Sequence, residues 1–238
     1  MFVRMLAIQG AWNYEILLGN GIAFCIEPAL RLLPGGRDGD AYREALAREA
    51  RYFNAHPYLA AVAVGALARA ELDGENPQRI ERFRTALCGP LGSVGDRLVW
   101  AGWLPFCSLV ALTAFGFGSS PAQVVGLFLV LYNLGHFGLR AWGLRTGWRH
   151  GLKVATALGN PVLRHGPQQI ARAAALIAGF AIPLVLFRVI GPGQQLLGIV
   201  LAAVAIGGVI IVRLQSRIDG WRLALGVLAA FALFSVVR

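Results

Sequence analysis

The sequence predicts an all-α, polytopic integral membrane protein, and three observations carry the prediction. Hydrophobic residues make up 57% of the 238 and charged residues 14%, where soluble domains carry about 25% charged residues. Leu98–Leu139 holds no Asp, Glu, Lys or Arg, a run twice the ~20 residues a spanning helix needs. After Asp96 come many basic residues and one acid, Asp219. That asymmetry is typical of loops kept on the cytoplasmic side.

The elements follow in chain order. Met1–Gln9 has no apolar core of the length a cleavable signal needs, so the chain is expected to stay in the membrane through its own spans. Residues 1–35 mix Trp12, Tyr14, Ile16, Leu17 and Leu18 with Asn13, Glu15, Asn20 and Glu27. This is too polar for a span and suits an interfacial or re-entrant segment. Pro34-Gly35-Gly36 ends it. Asp40–His56 reads as a surface helix with a Glu44–Arg48 pair at i,i+4, stopped by His56-Pro57. Tyr58–Ala68 is apolar but too short to cross a bilayer, and is expected as half of a dipping hairpin. Asn76 is a good N-cap and Pro77 a good first residue. The helix they start places Ile80, Phe83 and Leu87 on one face, with Arg79, Arg82 and Arg84 elsewhere.

Leu98–Leu139 is expected to hold two spans with a turn at Gly118–Pro121. Ala173–Phe187 and Gln195–Val212 read as further spans, and Leu223–Val237 as a short one. The Arg140–Lys153 stretch, with Arg145 and Arg149, is read as a cytoplasmic basic loop. The organisation is therefore residues 1–97, short re-entrant or interfacial helices with polar surface helices, and residues 98–238, spanning helices. The two regions form a single functional unit.

Between the halves lies Cys88-Gly-Pro-Leu-Gly-Ser-Val-Gly-Asp96. Gly89, Pro90, Gly92 and Gly95 favour a non-helical path. At membrane depth such backbone is tolerated only inside protein or beside a water-filled cavity. An acid there needs a partner, water or a ligand. A simple turn with Asp96-Arg97 at the headgroups is the plainer alternative. Gly92–Gly95 lacks the Lys and Ser/Thr of a phosphate-cradling loop. Further on, Asn133, His136 and Arg140 fall at i, i+3, i+7 on one helix face. They are read either as lining a sugar or ion path, or as hydrogen-bonding between helices with Arg140 snorkelling to the surface.

Other classes find little support. Cys25, Cys88 and Cys107 are scattered, with no metal or disulfide spacing. His136 has no second metal ligand at a sensible offset. No nucleophile–base constellation exists. The basic residues flank apolar runs instead of forming a soluble face for nucleic acid. No cofactor, metal or nucleic-acid partner is expected.

Four stretches in order carry a family resemblance: Gly10–Glu15 (GAWNYE), Tyr52–Pro57 (YFNAHP), Gly89–Asp96 (GPLGSVGD), and Asn133 with Arg140, Gly143 and Gly147. Together they resemble the IID membrane component of the mannose/fructose/sorbose family of the bacterial sugar phosphotransferase system, over about residues 10–153. The resemblance implies a non-catalytic subunit of the bacterial inner membrane. It would pair with a IIC membrane component to form the path of a hexose-type sugar in a hetero-oligomer in contact with membrane lipid. Soluble IIA and IIB proteins would deliver the phosphate. It implies that the glycine-rich stretch is a re-entrant or broken element. Asp96, Asn133, His136 and Arg140 would line the path or interface, with Asn54 and His56 near them, while Trp12, Asn13 and Glu15 anchor the N-terminal segment. The sequence departs from the family at Arg97, at Leu104 before Pro105, at His136, and in a shorter C-terminal region. The rival reading is a non-transporting scaffold or receptor that keeps the fold.

Overall fold

Small residues dictate the centre of the molecule. In the computed structural model, which describes residues 1–154, 159, 161–190, 198 and 206, the helices are α1 (Gly19–Leu30), α2 (Asp40–Glu49), α3 (Ala60–Leu72), α4 (Pro77–Gly95), α5 (Leu104–Gly116), α6 (Pro121–His150) and α7 (Pro161–Ile190). Residues Met1–Ile182 form one compact unit. Among the described residues there is no strand; Leu17 makes isolated bridges to Asn13 and Phe53. The expected spans Gln195–Val212 and Leu223–Val237 lie outside the described residues.

The Tyr58–Ala68 run lies within α3 and the turn before it, and α3 is the core itself. Ala60, Val62, Val64, Ala66 and Leu67 are each fully buried, packed among Met5, Ile8, Ile22, Leu30, Phe53, Ile80 and Leu91. Its Ala/Gly-rich surface lets α6 approach backbone to backbone. A Cβ on Gly147 would strike the Val62 carbonyl and lie 2.8 Å from the Ala66 nitrogen, and one on Gly65 would lie 2.7 Å from the Trp148 nitrogen.

Two ion pairs tie polar helices to this core. Arg84 is 3% exposed and donates from Nε to Glu49 Oε2 at 2.8 Å and from Nη2 to the Glu49 and Arg51 carbonyls. It does not stay on an outer face, because Glu49 supplies a buried anion that its side chain can reach. Arg48 turns from the expected Glu44 to Glu71, gripping both carboxylate oxygens at 2.9 and 2.7 Å. The helix from Asp40 accordingly ends at Glu49, and residues 51–56 run as irregular chain. Nearer the surface, Glu27 gathers Arg4, Arg31, Arg37 and Tyr42. The Arg31 hydrogen bonds hold its carboxyl down at about 2.

Asn76 caps α4 as the sequence predicts, its Oδ1 accepting from Gln78 N at 2.9 Å. The glycine-rich stretch does not leave the helix. Pro90 sits inside α4, and the chain runs on through a π-helical segment, Asp96–Trp103, into α5. A π segment absorbs the missing hydrogen bonds by widening the coil. Of the glycines, Gly95 serves close packing against His56, while Gly89 and Gly92 have open space beside them within a continuous helix. Ser120 caps α6 with Gln123 in a capping box, placing the α5–α6 turn where it was expected. The expected Arg140–Lys153 loop is helical as far as His150.

Among the described residues, three helical runs are long and apolar enough to cross a membrane: Pro77–Gly116, Pro121–Lys153 and Leu163–Val189. Their apolar windows are 22%, 0% and 11% buried by the rest of the chain, so their apolar surfaces face outward, as in helices that meet lipid or a partner.

Candidate functional site

The three N-terminal motifs are distant in sequence and meet at one cleft. Segment 52–56 is clamped beside residues 16–18 by the Leu18 N to Phe53 O bond (3.0 Å) and the Phe53 N to Ile16 O bond (3.1 Å). Asn13 Oδ1 accepts from the Glu15 and Ile16 nitrogens and shapes the turn that leads in. Against this pair lies α4. Gly95 packs so closely on His56 that a Cβ there would lie 2.6 Å from its Cγ. The Leu91 carbonyl accepts from His56 N. Gly89 and Gly92 have open space beside them.

The result is a cleft of about 600 Å³ lined by Trp12, Asn54, His56, Ser93, Asp96 and Trp100, among others. That is a volume suited to a small polar ligand. Asp96 is exposed to it and makes no ion pair among the described residues. Its neighbour Arg97 donates instead to the Ser93 carbonyl. Trp12 and Trp100 are each a little under half exposed and present ring surface. His56 is 1% exposed. Its Nδ1 accepts from Tyr58 N at 3.2 Å, which places the ring proton on Nε2, an enclosed N–H with no partner among the described residues. Burial, helped by the charge of Arg140, lowers its pKa to about 4, so the imidazole stays neutral at physiological pH.

Behind His56 the aromatic packing continues into α6. Tyr58 stacks on His136 with centroids 4.2 Å apart, and its hydroxyl lies 2.9 Å from that of Tyr132. The Arg140 guanidinium stands 5.0 Å over the Tyr58 ring, a cation–π arrangement. Asn133 bonds to the Leu129 carbonyl and lies 3.4 Å from His136 Nδ1. Arg140 does not snorkel: it is 2% exposed.

The predicted site residues therefore fall into two groups. Asn54, His56, Asp96, Gly89 and Gly92 border the cleft; Pro90 sits in the α4 turn beside it and Gly95 supports His56. Asn133, His136 and Arg140 form a second cluster, joined to the first through His56 and Tyr58. Sequence reasoning missed Tyr58 and Trp100. Trp100 at i+4 from Asp96 was the available signal. Tyr58 is hidden as the first residue of an apolar run.

Residues 1–191 match the PTS system mannose/fructose/sorbose family IID component. The chain belongs to this family. Relatives include the PTS system mannose-specific EIID component of Escherichia coli, 30% identical over 170 residues, which are 69% of this chain and 59% of the relative. The fructose permease IID component of Bacillus subtilis is 30% identical over 162 residues, 65% of this chain and 56% of that one. The match thus spans under two thirds of these IID relatives' length. Two solved structures share the fold. One is described as a membrane protein, with TM-score 0.70 and 21% identity, covering 99% of this chain and 94% of that one. The other is the mannose transporter ManYZ in complex with a microcin, with TM-score 0.58 and 20% identity over the same shares.

Proposed function

We propose that this IID chain is the membrane subunit of a mannose-family sugar permease. It lies multi-pass in the bacterial cytoplasmic membrane, assembles with a IIC component, and helps pass a hexose-type sugar that IIB phosphorylates on the cytoplasmic side. The observation that carries the reading is the meeting of the three N-terminal motifs at one cleft. That cleft offers a carboxylate with no ion pair among the described residues (Asp96), an amide (Asn54) and two indole faces (Trp12, Trp100), with the neutral imidazole of His56 buried in its wall. Hydroxyl-rich rings are held by such a set, carboxylate and amide to the hydroxyls and indole to the C–H face.

The test is co-expression with a IIC component, purification in mild detergent, and measurement of labelled hexose retained. Wild type should yield a complex that retains sugar. Asp96→Asn and His56→Gln should each lower retention about tenfold or more while the complex survives. A complex that binds sugar equally well with both substitutions removes the cleft from the path. A chain that recovers neither partner nor sugar supports a scaffold that has kept only the fold.

A further inference from the structure

Away from the cleft, a cavity of about 760 Å³ opens between the π segment and the start of α7. Val94, Arg97 and Ala101 form one wall, and Leu163, Arg164 and Gln168 form the other. A Cβ on Gly166 would lie 3.6 Å from Leu98 Cδ1, and one on Gly102 would lie 3.4 Å from Ile170 Cγ2. Both contacts advance along the chain in the same direction, so the two helices run parallel and Arg97 and Arg164 stand at one level. Arg97 donates from Nε to the Ser93 carbonyl at 3.1 Å. Arg97, Arg164 and Gln168 are exposed, and neither arginine makes an ion pair among the described residues. No acid lines the cavity among the described residues.

The level of the two arginines says what meets them. Residues 98–116 carry no charge and rise about 28 Å, close to the ~30 Å hydrocarbon core of a bilayer. Arg97 therefore stands at the edge of that core, in the headgroup layer. A short turn joins α5 to α6, so the end of α6 that carries Arg145 and Arg149 lies on the same side. Basic flanks of spans collect at the cytoplasmic leaflet, where anionic lipid is concentrated. Two guanidinium groups without a carboxylate call for an anion, and their forked N–H groups match phosphate oxygens. A free phosphate ester would use the arginines and leave the apolar wall of Val94, Ala101 and Leu163 uncovered. A lipid covers it with its glycerol and first acyl carbons. A zwitterionic lipid would bring its ammonium against the same two charges. We propose that Arg97 and Arg164, with Gln168 beside them, hold the phosphate of an anionic phospholipid. The site is independent of the sugar reading.

The experiment uses the full chain in mild detergent, with or without a recovered IIC component, and reads bound lipid per chain by native mass spectrometry. The wild type should hold phosphatidylglycerol in preference to phosphatidylethanolamine. Arg97→Gln and Arg164→Gln should each weaken phosphatidylglycerol binding about fivefold, and the double variant about twentyfold. Arg149→Gln, on the exposed end of α6, should leave it unchanged. The lipid preference is read on the wild-type chain and stands even if a variant does not accumulate. Equal binding of the two lipids, full binding by the double variant, or an equal loss in Arg149→Gln overturns the site. Displacement of the lipid by an equal concentration of glycerol 3-phosphate or inorganic phosphate assigns the arginines to a free phosphate and overturns the lipid.

Discussion

Helix α3 and the first half of α6 are both apolar and both alanine-, glycine- or leucine-rich, yet they meet different surroundings. Between Ala60 and Ala68 the side chains of α3 have no exposure. The apolar window of Pro121–Lys153 has no residue buried by the chain; Leu134 is 65% exposed and Val130 59%. Apolar character alone does not separate them. Side-chain size does: α3 uses Ala and Val, which let neighbouring backbones close in, while the outer half of α6 uses Leu, Val and Phe, which cover a helix that meets lipid or a partner. Inside α6 the change occurs near Arg140. Beyond it Gly143 and Gly147 press on α3, and before it the helix meets the buried Tyr58 through Tyr132 and His136 while its Leu and Val side chains face outward.

The comparison is broken most directly at the core's polar ties. Arg84→Met leaves Glu49 buried without its partner and should cost about 3–5 kcal/mol, read as a fall in the thermal unfolding midpoint of the detergent-solubilised complex. Adding Glu49→Leu should recover most of it, since burial already pushes the Glu49 carboxyl up against the pull of Arg84. A change below about 1 kcal/mol for the single variant would place the pair at the surface.

The next largest effect tests the two halves of one helix. Gly147→Ala meets the Val62 carbonyl and should destabilise by about 1–3 kcal/mol. Gly126→Ala has nothing within 4 Å and should be neutral or stabilising by up to about 1 kcal/mol. Equal effects at the two positions would erase the contrast.

His56 adds a pH signature to the core side. Its folded pKa of about 4 lies below the ordinary histidine value of 6.5, so the unfolded chain binds the proton first as pH falls. The stabilisation is complete above about pH 6.5 and is lost toward pH 4, with a slope of at most about 1.4 kcal/mol per pH unit. His56→Gln should flatten unfolding midpoints across that window. The smallest effect belongs to the outer surface: Leu134→Ala should change stability by less than about 0.5 kcal/mol. A loss of core size would show that this face is covered in the assembled protein.

What the sequence reveals depends on how far each interaction reaches. The Asn76 cap is chemistry within four residues and is legible in the sequence; the Ser120 capping box is as local, and it falls in the turn expected at Gly118–Pro121. The apolar run after Leu98 announced its spans, and the turn at Gly118–Pro121 was placed correctly. Arg84 was misjudged because its partner Glu49 is 35 residues away, and no local pattern marks a buried pair. Propensity favours a break at the glycines of α4, but the packing of Gly95 against His56 and a π-helical continuation keep the helix. At the site, Asp96 is marked as an acid at the edge of a charge-free run, whereas Asn54 and His56 come only with the family resemblance. Tyr58 and Trp100 are unmarked, since one more aromatic ring in an apolar run carries no signal until the fold brings it beside a histidine.

Cys88 borders the cleft and is only partly buried, while Cys25 and Cys107, the other thiols in the chain, are buried. The unaltered protein therefore carries its own selective handle for covalent labelling. An alkylating reagent should reach Cys88 first, and the rate at which it does so reports whether that cleft is open or occupied, without any engineered residue.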